Sequence, residues 1–381
     1  MNAVLMNKNY PVLSCETDQN VVIKIKEVID NDHLPIMLQD NCTLETVNDW
    51  LQTRLIPEKR EGIQEARQMF KFENFKHLQS LSDQYWFRYN NRESWNKINF
   101  FTNEYQTETG KIFFEPWAVD KTQLKKESPD LTTNGILKKR WIQKEHMISF
   151  LIKSGSRIYN QSPMAEVLTS MFLERLNIIP FVEYKLIVDG LKMCSICQNF
   201  IDANTEFVPA SQVYYKTERD KKKETIYDHI VRQSVAYGLN EQETRHYLNA
   251  MITADTIISN TDRHLNNFGY IRDVDSGRLI GFAPLFDSGS AFTNPKTDKA
   301  KQAQLMFRDK EKKAVEKILG KKNLEQFSIG PMMQMIDAYP TMGDREKDMI
   351  RNKVRASAEK IKTGGKRKQD KVLARGDDDD F

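Results

Sequence analysis

Long hydrophobic runs are missing from this sequence. Nowhere in its 381 residues do about 18 consecutive apolar side chains occur, the least an α-helix needs to cross a bilayer, so a membrane-spanning helix is not expected. The opening residues, MNAVLMNKNYPVLSCETD, lack a basic segment followed by a long apolar stretch, the pattern of a secretory signal. A cytoplasmic protein is expected. Cysteine is scarce, with four in the chain: Cys15, Cys42, Cys194 and Cys197. Only the last two lie close together, and a lone Cys-x-x-Cys supplies half the ligands of a tetrahedral zinc site. They sit in the apolar run LKMCSICQNF rather than ahead of a helix, which predicts buried strand packing. An excess of charge of one sign is also nearly absent: 57 basic against 53 acidic residues leave +4. Such a balance does not indicate a nucleic-acid partner. No repeat of fixed period is evident.

What remains is globular material, 39% hydrophobic and 29% charged, long enough to bury a sizeable core around a cleft. Residues 1 to about 95 are expected to be a mostly helical extension, from IKIKEVID and from TLETVNDWLQTRL, where Thr43, Glu45 and Thr46 suggest a capped start. Residues 96–202 read as a small lobe. KIFFEPWAV is expected as a strand, then a polar turn, KKESPDLTTNG, leads into the strands ILKKRWIQ and MISFLIKSG. A helix follows with Ser162 as its cap and Pro163 in its first turn, and Met164, Val167, Leu168, Met171 and Phe172 recur on one face. FVEYKLIV and LKMCSICQNFI then form a hairpin across Asp189 and Gly190. Residues 203–356 read as a larger helical lobe, including TIYDHIVRQSVAYGL and a helix opened by Asn240 with Glu243 three positions on. Residues 357–381 have few large apolar groups and blocks of like charge, which predicts a flexible tail. The fold class expected is α+β and two-lobed, with the helical extension in front.

The chemistry is concentrated in ISNTDRHLNNFGYI and, after a turn, LIGFAPLFDSGSAF. Phosphoryl transfer needs a carboxylate beside the incoming hydroxyl, an oxygen ligand for a metal, and a second carboxylate between metal and phosphates. Asp262, Asn267 and Asp287 supply these types in that order. The step from Asp262 to Asn267 lets a loop present a carboxylate and return an amide to the same cleft. A hairpin from Gly269 through LIGFAPLF would carry Asp287 back beside it, with Gly289 giving the backbone room. The rival reading of Asp262 and Asn267 is an Asx-rich turn satisfying its own backbone. His264 is an acid–base candidate, better suited to bracing the loop as a hydrogen-bonded imidazole. Arg263 stays unassigned between a phosphate and a surface carboxylate.

NTDRHLNNFGYI and APLFDSGSAF resemble the HipA-like serine/threonine kinases, distant relatives of the phosphatidylinositol kinases. The resemblance implies a protein-kinase-like fold, with ATP and Mg²⁺ as cofactors. It implies Asp262 as the catalytic carboxylate, His264 within the same loop, and Asn267 and Asp287 as metal ligands. It further implies Lys153 on the ATP phosphates with Glu166 as its ion-pair partner, and the backbone at Gln198 and Phe200 beside adenine. Thr133, Asn134 and Gly135 occupy the place of the phosphate-covering loop, with one glycine where ordinary protein kinases carry several. The expected activity is transfer to a Ser/Thr hydroxyl of a protein and to the chain itself, at a loop residue such as Ser128, Thr132 or Thr133. An antitoxin-type partner is implied too. The alternatives are a lipid kinase, which shares the Asp-Arg-His-x-x-Asn wording, and a non-catalytic ATP-binding half of a toxin–antitoxin pair.

Overall fold

Residues 1–18, 21–61, 63–64, 68, 77–105, 108–112, 114–115, 118–120, 122, 127–155, 162–292, 307, 310–320 and 327–366 are described by a computed structural model. By contacts the chain divides into two units: Met1–Ile158 with Lys185–Glu218 and Gly269–Ala283, and Tyr159–Tyr184 with Arg219–Phe268 and Pro284–Phe381.

The first unit begins with strands where helix was expected. β1 (Asn2–Asn7), β2 (Tyr10–Asp18) and β3 (Val21–Val28) are joined by β4 (Tyr85–Arg88) in one sheet of order β3-β2-β1-β4. The correction has a local cause. IKIKEV alternates apolar and charged residues with period two and is rich in β-branched side chains, which suit a pleated strand. As an edge strand, β3 carries Lys24 and Lys26, charges that discourage pairing with another chain. Helix α1 (Leu44–Arg54) is where the sequence placed it. The Thr43 hydroxyl accepts from Thr46 N–H at 3.2 Å and the Thr43 N–H donates to the Thr46 hydroxyl at 2.9 Å, a reciprocal cap. Its Val47, Trp50 and Leu51 join Leu5, Leu13 and Phe87 of the sheet in one apolar cluster.

The run at 111–119 is not the expected strand. Helical turn Glu108–Lys111 continues through hydrogen bonds from Phe114 and Glu115 N–H to the Lys111 carbonyl, and residues 113, 116 and 117 lie outside the described residues. A short apolar run looks alike in either periodicity; here Ile112 and Phe114 sink into the cluster of Ile152, Cys194 and Ile196. The next strands are as expected. β5 (Lys139–Gln143), β6 (Ser149–Ser154), β7 (Tyr184–Asp189) and β8 (Lys192–Gln198) form a sheet of order β5-β6-β8-β7. Cys194 and Cys197 are buried free thiols of β8, apolar filling as their context suggested.

A third sheet, β11-β10-β9, is built from β9 (Thr205–Pro209), β10 (Gly269–Asp273) and β11 (Leu279–Phe282). Gly269 is required there, because a Cβ would lie 2.1 Å from the Val208 carbonyl oxygen. Arg272 of β10 is fully buried and donates to Glu206 at 2.8 Å, the Tyr85 hydroxyl at 2.8 Å and the Leu34 carbonyl at 3.0 Å. These bonds tie the amino-terminal segment to β9 and β10.

The second unit is helical: α2 (Ser162–Leu176), α3 (Ile226–Ala236), α4 (Glu241–Ile258), α5 (Glu311–Leu319), α6 (Gly330–Ala338) and α7 (Asp344–Lys366). Ser162 is the first residue of α2, and Met164, Val167, Leu168 and Phe172 are buried as their spacing required. Asn240 caps α4 by accepting from Gln242 and Glu243 N–H at 2.9 and 3.1 Å. α7 overturns the expectation of a tail from residue 357, since the helix runs to Lys366; residues 367–381 lie outside the described residues. Ile350, Val354, Ala358 and Ile361 form a buried stripe at helical spacing, and the Ser357 hydroxyl donates to the Ile257 carbonyl at 2.6 Å. That sparse stripe is what the surrounding charges hide.

Candidate active site

The loop after α4 forms because the helix stops sharply. Ser259 adopts a left-handed conformation, φ 53°, as its C-cap, and Asn260 turns back to donate its amide to Asp255 at 2.9 Å. Then the chain folds on itself. The Asp262 carbonyl accepts from His264 N–H at 3.0 Å and from the Asn267 side-chain amide at 2.9 Å, and Asn267 N–H donates to the His264 carbonyl at 2.9 Å. Since the Asn267 amide spends its NH₂ on this bond, its Oδ1 is the end left to serve as a hard oxygen ligand. His264 Nδ1 accepts from Asn266 N–H at 3.2 Å, and its Nε2 lies 4.0 Å from Asp262 Oδ1. The imidazole therefore braces the loop.

Asp287 follows β11 in sequence and adopts φ 57°, a left-handed conformation that Asp tolerates better than most residues. Its N–H donates to the Tyr184 hydroxyl at 3.3 Å. Gly289, two residues on, packs against α2: a Cβ would lie 3.2 Å from that of Ser162. Asp262 and Asp287 sense one another. Burial pushes the Asp262 carboxyl above the usual range; His264 draws it down, Asp287 pushes it up again, and the net effect is upward. Two carboxylates with an amide oxygen beside them are a donor set that fits a divalent cation bound to phosphate oxygens. The self-satisfying Asx turn is half true: the Asn267 amide does brace its own loop, but the Asp262 carboxyl also feels the charge of Asp287.

Arg263 was left open by the sequence. It is 3% exposed and lies between the loop and the Asp287 segment. Nε and Nη2 donate to Asp255 at 3.0 and 3.2 Å, Nη1 donates to the carbonyls of Asn267 and Phe286 at 2.5 and 2.6 Å, and Nη2 donates to the Ser288 hydroxyl at 3.1 Å. Burial works against its charge, but Asp255 outweighs it and holds the guanidinium firmly protonated. Sequence reasoning left Arg263 unassigned and missed Asp255, Ser288 and Tyr184, which surround the candidate residues. A carboxylate in the last turn of the apolar helix NAMITADTIIS was the one available signal.

The remaining candidates lie as follows. In the first unit Lys153 is buried on β6, in register with Lys139 of β5 and Ser195 of β8. Gln198 is exposed at the end of β8 and pairs with Phe150, and Phe200 meets the edge of Phe207 at 5.7 Å. The Thr133–Gly135 segment is pinned from below by buried Arg60, which donates to the carbonyls of Thr133 and of Gly135. Gly135, φ 103°, gives its N–H to the Asn134 side chain at 2.6 Å, and the Thr133 hydroxyl donates to the Pro129 carbonyl at 2.7 Å. In the second unit Glu166 is buried on α2. Among the described residues no cluster of three or more His, Cys, Asp or Glu side chains makes a metal cage. The pair Asn267 and Asp287 suits an ion that takes its other ligands from a nucleotide and water.

These features describe a mixed α/β protein whose helical unit holds the candidate residues Asp262, Asn267 and Asp287 on two loops. The chain belongs to the family of HipA-like C-terminal domains, whose profile matches residues 118–361. Among solved structures, HipA of Shewanella oneidensis MR-1, in a toxin–antitoxin complex with HipB and operator DNA, is similar at 10% identity and TM-score 0.54, covering 95% of this chain and 97% of that one. The Helicobacter pylori proinflammatory kinase CtkA is similar at 18% identity and TM-score 0.45, covering 60% of this chain and 93% of its own. No curated protein matches the sequence significantly. Among the described residues no helix is long and apolar enough to cross a membrane.

Proposed function

We propose that this chain is an ATP- and magnesium-dependent phosphotransferase that acts on Ser/Thr hydroxyls of a protein. The observation that carries the reading is the convergence of Asp262, Asn267 and Asp287, with the Asn267 amide oriented by the Asp262 carbonyl and Asp287 acting on the Asp262 carboxyl. In this reading Asp262 accepts the proton of the incoming hydroxyl; its raised proton affinity makes it a better base than an exposed aspartate. His264 holds the loop that presents it. Asn267 Oδ1 and Asp287 would hold magnesium, which supplies positive charge against the nucleotide phosphates. Lys153 would steady those phosphates as a point charge. The backbones of Gln198 and Phe200 would receive adenine, and Thr133 to Gly135 would cover the phosphates once the Gly135 N–H leaves Asn134.

Family membership supports this reading over an idle Asx turn, and the likeness in fold to a HipA that stands with HipB supports an antitoxin-type partner for this chain. Self-phosphorylation at Ser128, Thr132 or Thr133 requires the loop to leave its seat. Ser128 and Thr132 are buried, and their hydroxyls donate to Asp130 and the Gln79 carbonyl.

The test is label transfer from γ-labelled ATP to protein and to phosphoinositide, by wild type, Asp262→Ala and Asp287→Ala. Wild type is expected to label protein, and loss of the base is expected to cost at least about 100-fold. Label on lipid alone makes the chain a lipid kinase. Thermal stabilisation by Mg-ATP without transfer makes it a non-catalytic binder. Full activity of Asp262→Ala refutes the assigned role.

A further inference from the structure

A guanidinium has five N–H donors in one plane, and Arg263 has acceptors for all of them: two oxygens of Asp255, the carbonyls of Asn267 and Phe286, and the Ser288 hydroxyl. At 3% exposure, with no donor remaining, it has nothing to offer a phosphate. A surface ion pair is equally ruled out. The acceptors are distributed in a telling way. One carbonyl belongs to Asn267 itself, one to the residue before Asp287, and the hydroxyl to the residue after it. The anchoring carboxylate is on the last turns of α4, ahead of the loop.

Building on the phosphotransferase reading, we propose that Arg263 is a positioning residue that sets the spacing of Asn267 and Asp287 for a divalent ion. Each of those two residues sits on a loop, and loops drift unless something fixes their backbones. Arg263 bonds the Asn267 carbonyl, and the Phe286 carbonyl and Ser288 hydroxyl on either side of Asp287, to one rigid helix end through a single planar group. It thus acts on the metal through its ligands rather than by touching it, as outer partners of metal ligands do. Lysine cannot replace it: an ammonium has three donors radiating from a point and cannot reach a planar array of five acceptors.

Arg263→Lys keeps the charge beside Asp255 and removes the fork. The full chain, as wild type, Arg263→Lys and Ser288→Ala, is titrated with Mn²⁺ in the presence of a non-hydrolysable ATP analogue, with free Mn²⁺ read by electron paramagnetic resonance. Thermal midpoints and label transfer are measured alongside. In folded Arg263→Lys the half-saturating Mn²⁺ is expected to rise about 10- to 100-fold. In Ser288→Ala, which loses one hydrogen bond, it is expected to rise about 2- to 10-fold. Binding of the analogue in chelator, without metal, is expected to be unchanged in both; a loss confined to that arm would mean that Arg263 meets phosphate and would overturn the proposal. Unchanged Mn²⁺ binding by folded Arg263→Lys overturns it too, and if that variant does not fold, unchanged binding by Ser288→Ala does so. A wild type that neither binds Mn²⁺ with the analogue nor transfers label sinks the phosphotransferase reading itself, and this inference with it. A wild type that does both beside indifferent variants sinks the inference alone.

Discussion

Asn267 donates its side-chain amide to the backbone carbonyl of Asp262 at 2.9 Å. The bond closes the loop on itself and turns the amide so that its oxygen is the free end. It also fixes the Asp262 backbone relative to the Asn267 side chain within one loop. Asp287 joins them from another stretch of chain and pushes the Asp262 carboxyl further up, beyond the effect of burial. A carboxyl raised both by burial and by a neighbouring carboxyl is a perturbed group of the kind that candidate functional sites gather.

Replacement of Asp262 by Asn should separate those two properties. The folded protein holds this carboxyl above its unfolded value, so the folded state binds more protons, and stability declines as pH rises through that interval. At neutral pH the ionised group is a net cost. Asp262→Asn is expected to abolish transfer while raising the thermal midpoint by a few degrees at most, measured by differential scanning calorimetry at pH 7. A lower midpoint would contradict the assigned electrostatics.

His264 acts on Asp262 in the opposite direction and draws its carboxyl down. His264→Gln removes that contribution and moves the carboxyl higher still. The acid limb of the pH–rate profile is therefore expected to shift to higher pH, because the base must lose its proton to work. The kcat/KM profile checks this, and an acid limb displaced to lower pH would refute it.

Glu206 and Arg272 form an ion pair in the first unit with both side chains essentially inaccessible, 2.8 Å apart. Burial raises the Glu206 carboxyl, and Arg272 pulls it back. Glu206→Leu leaves a buried guanidinium without its counter-charge, a change that costs about 3–5 kcal/mol. Urea unfolding should show a midpoint lowered accordingly, and a midpoint within experimental scatter of wild type would show that the remaining carbonyl partners suffice.

Thr43→Ala removes the reciprocal cap of α1. Its expected cost is about 1 kcal/mol. Because the cap lies in the amino-terminal segment of the first unit, the loss should appear in stability and leave the transfer rate untouched.

Legibility in the sequence followed the range of the interactions. The cap at Thr43, the hairpin at Asp189 and Gly190, and the face of α2 depend on neighbours within a few residues, and each was readable. β3 was misassigned because helix was expected throughout the opening segment, although the alternation in IKIKEV is local and visible. The strand expected at 111–119 and the tail expected from residue 357 failed for another reason: a few apolar residues decide both places, and their partners are remote.

The sequence by itself determined the candidate groups, since a carboxylate, an amide and a second carboxylate occur in the order phosphoryl transfer needs, and that order is a property of the chain. Only the tertiary structure decided which end of the Asn267 amide is free, that Asp287 acts on Asp262, and that Arg263 is sealed in rather than offered to a ligand. The reason is geometric. A one-dimensional string specifies which donors and acceptors exist, whereas their pairing depends on backbone carbonyls such as those of Asp262 and Phe286, which look alike in every sequence and differ solely by where folding puts them.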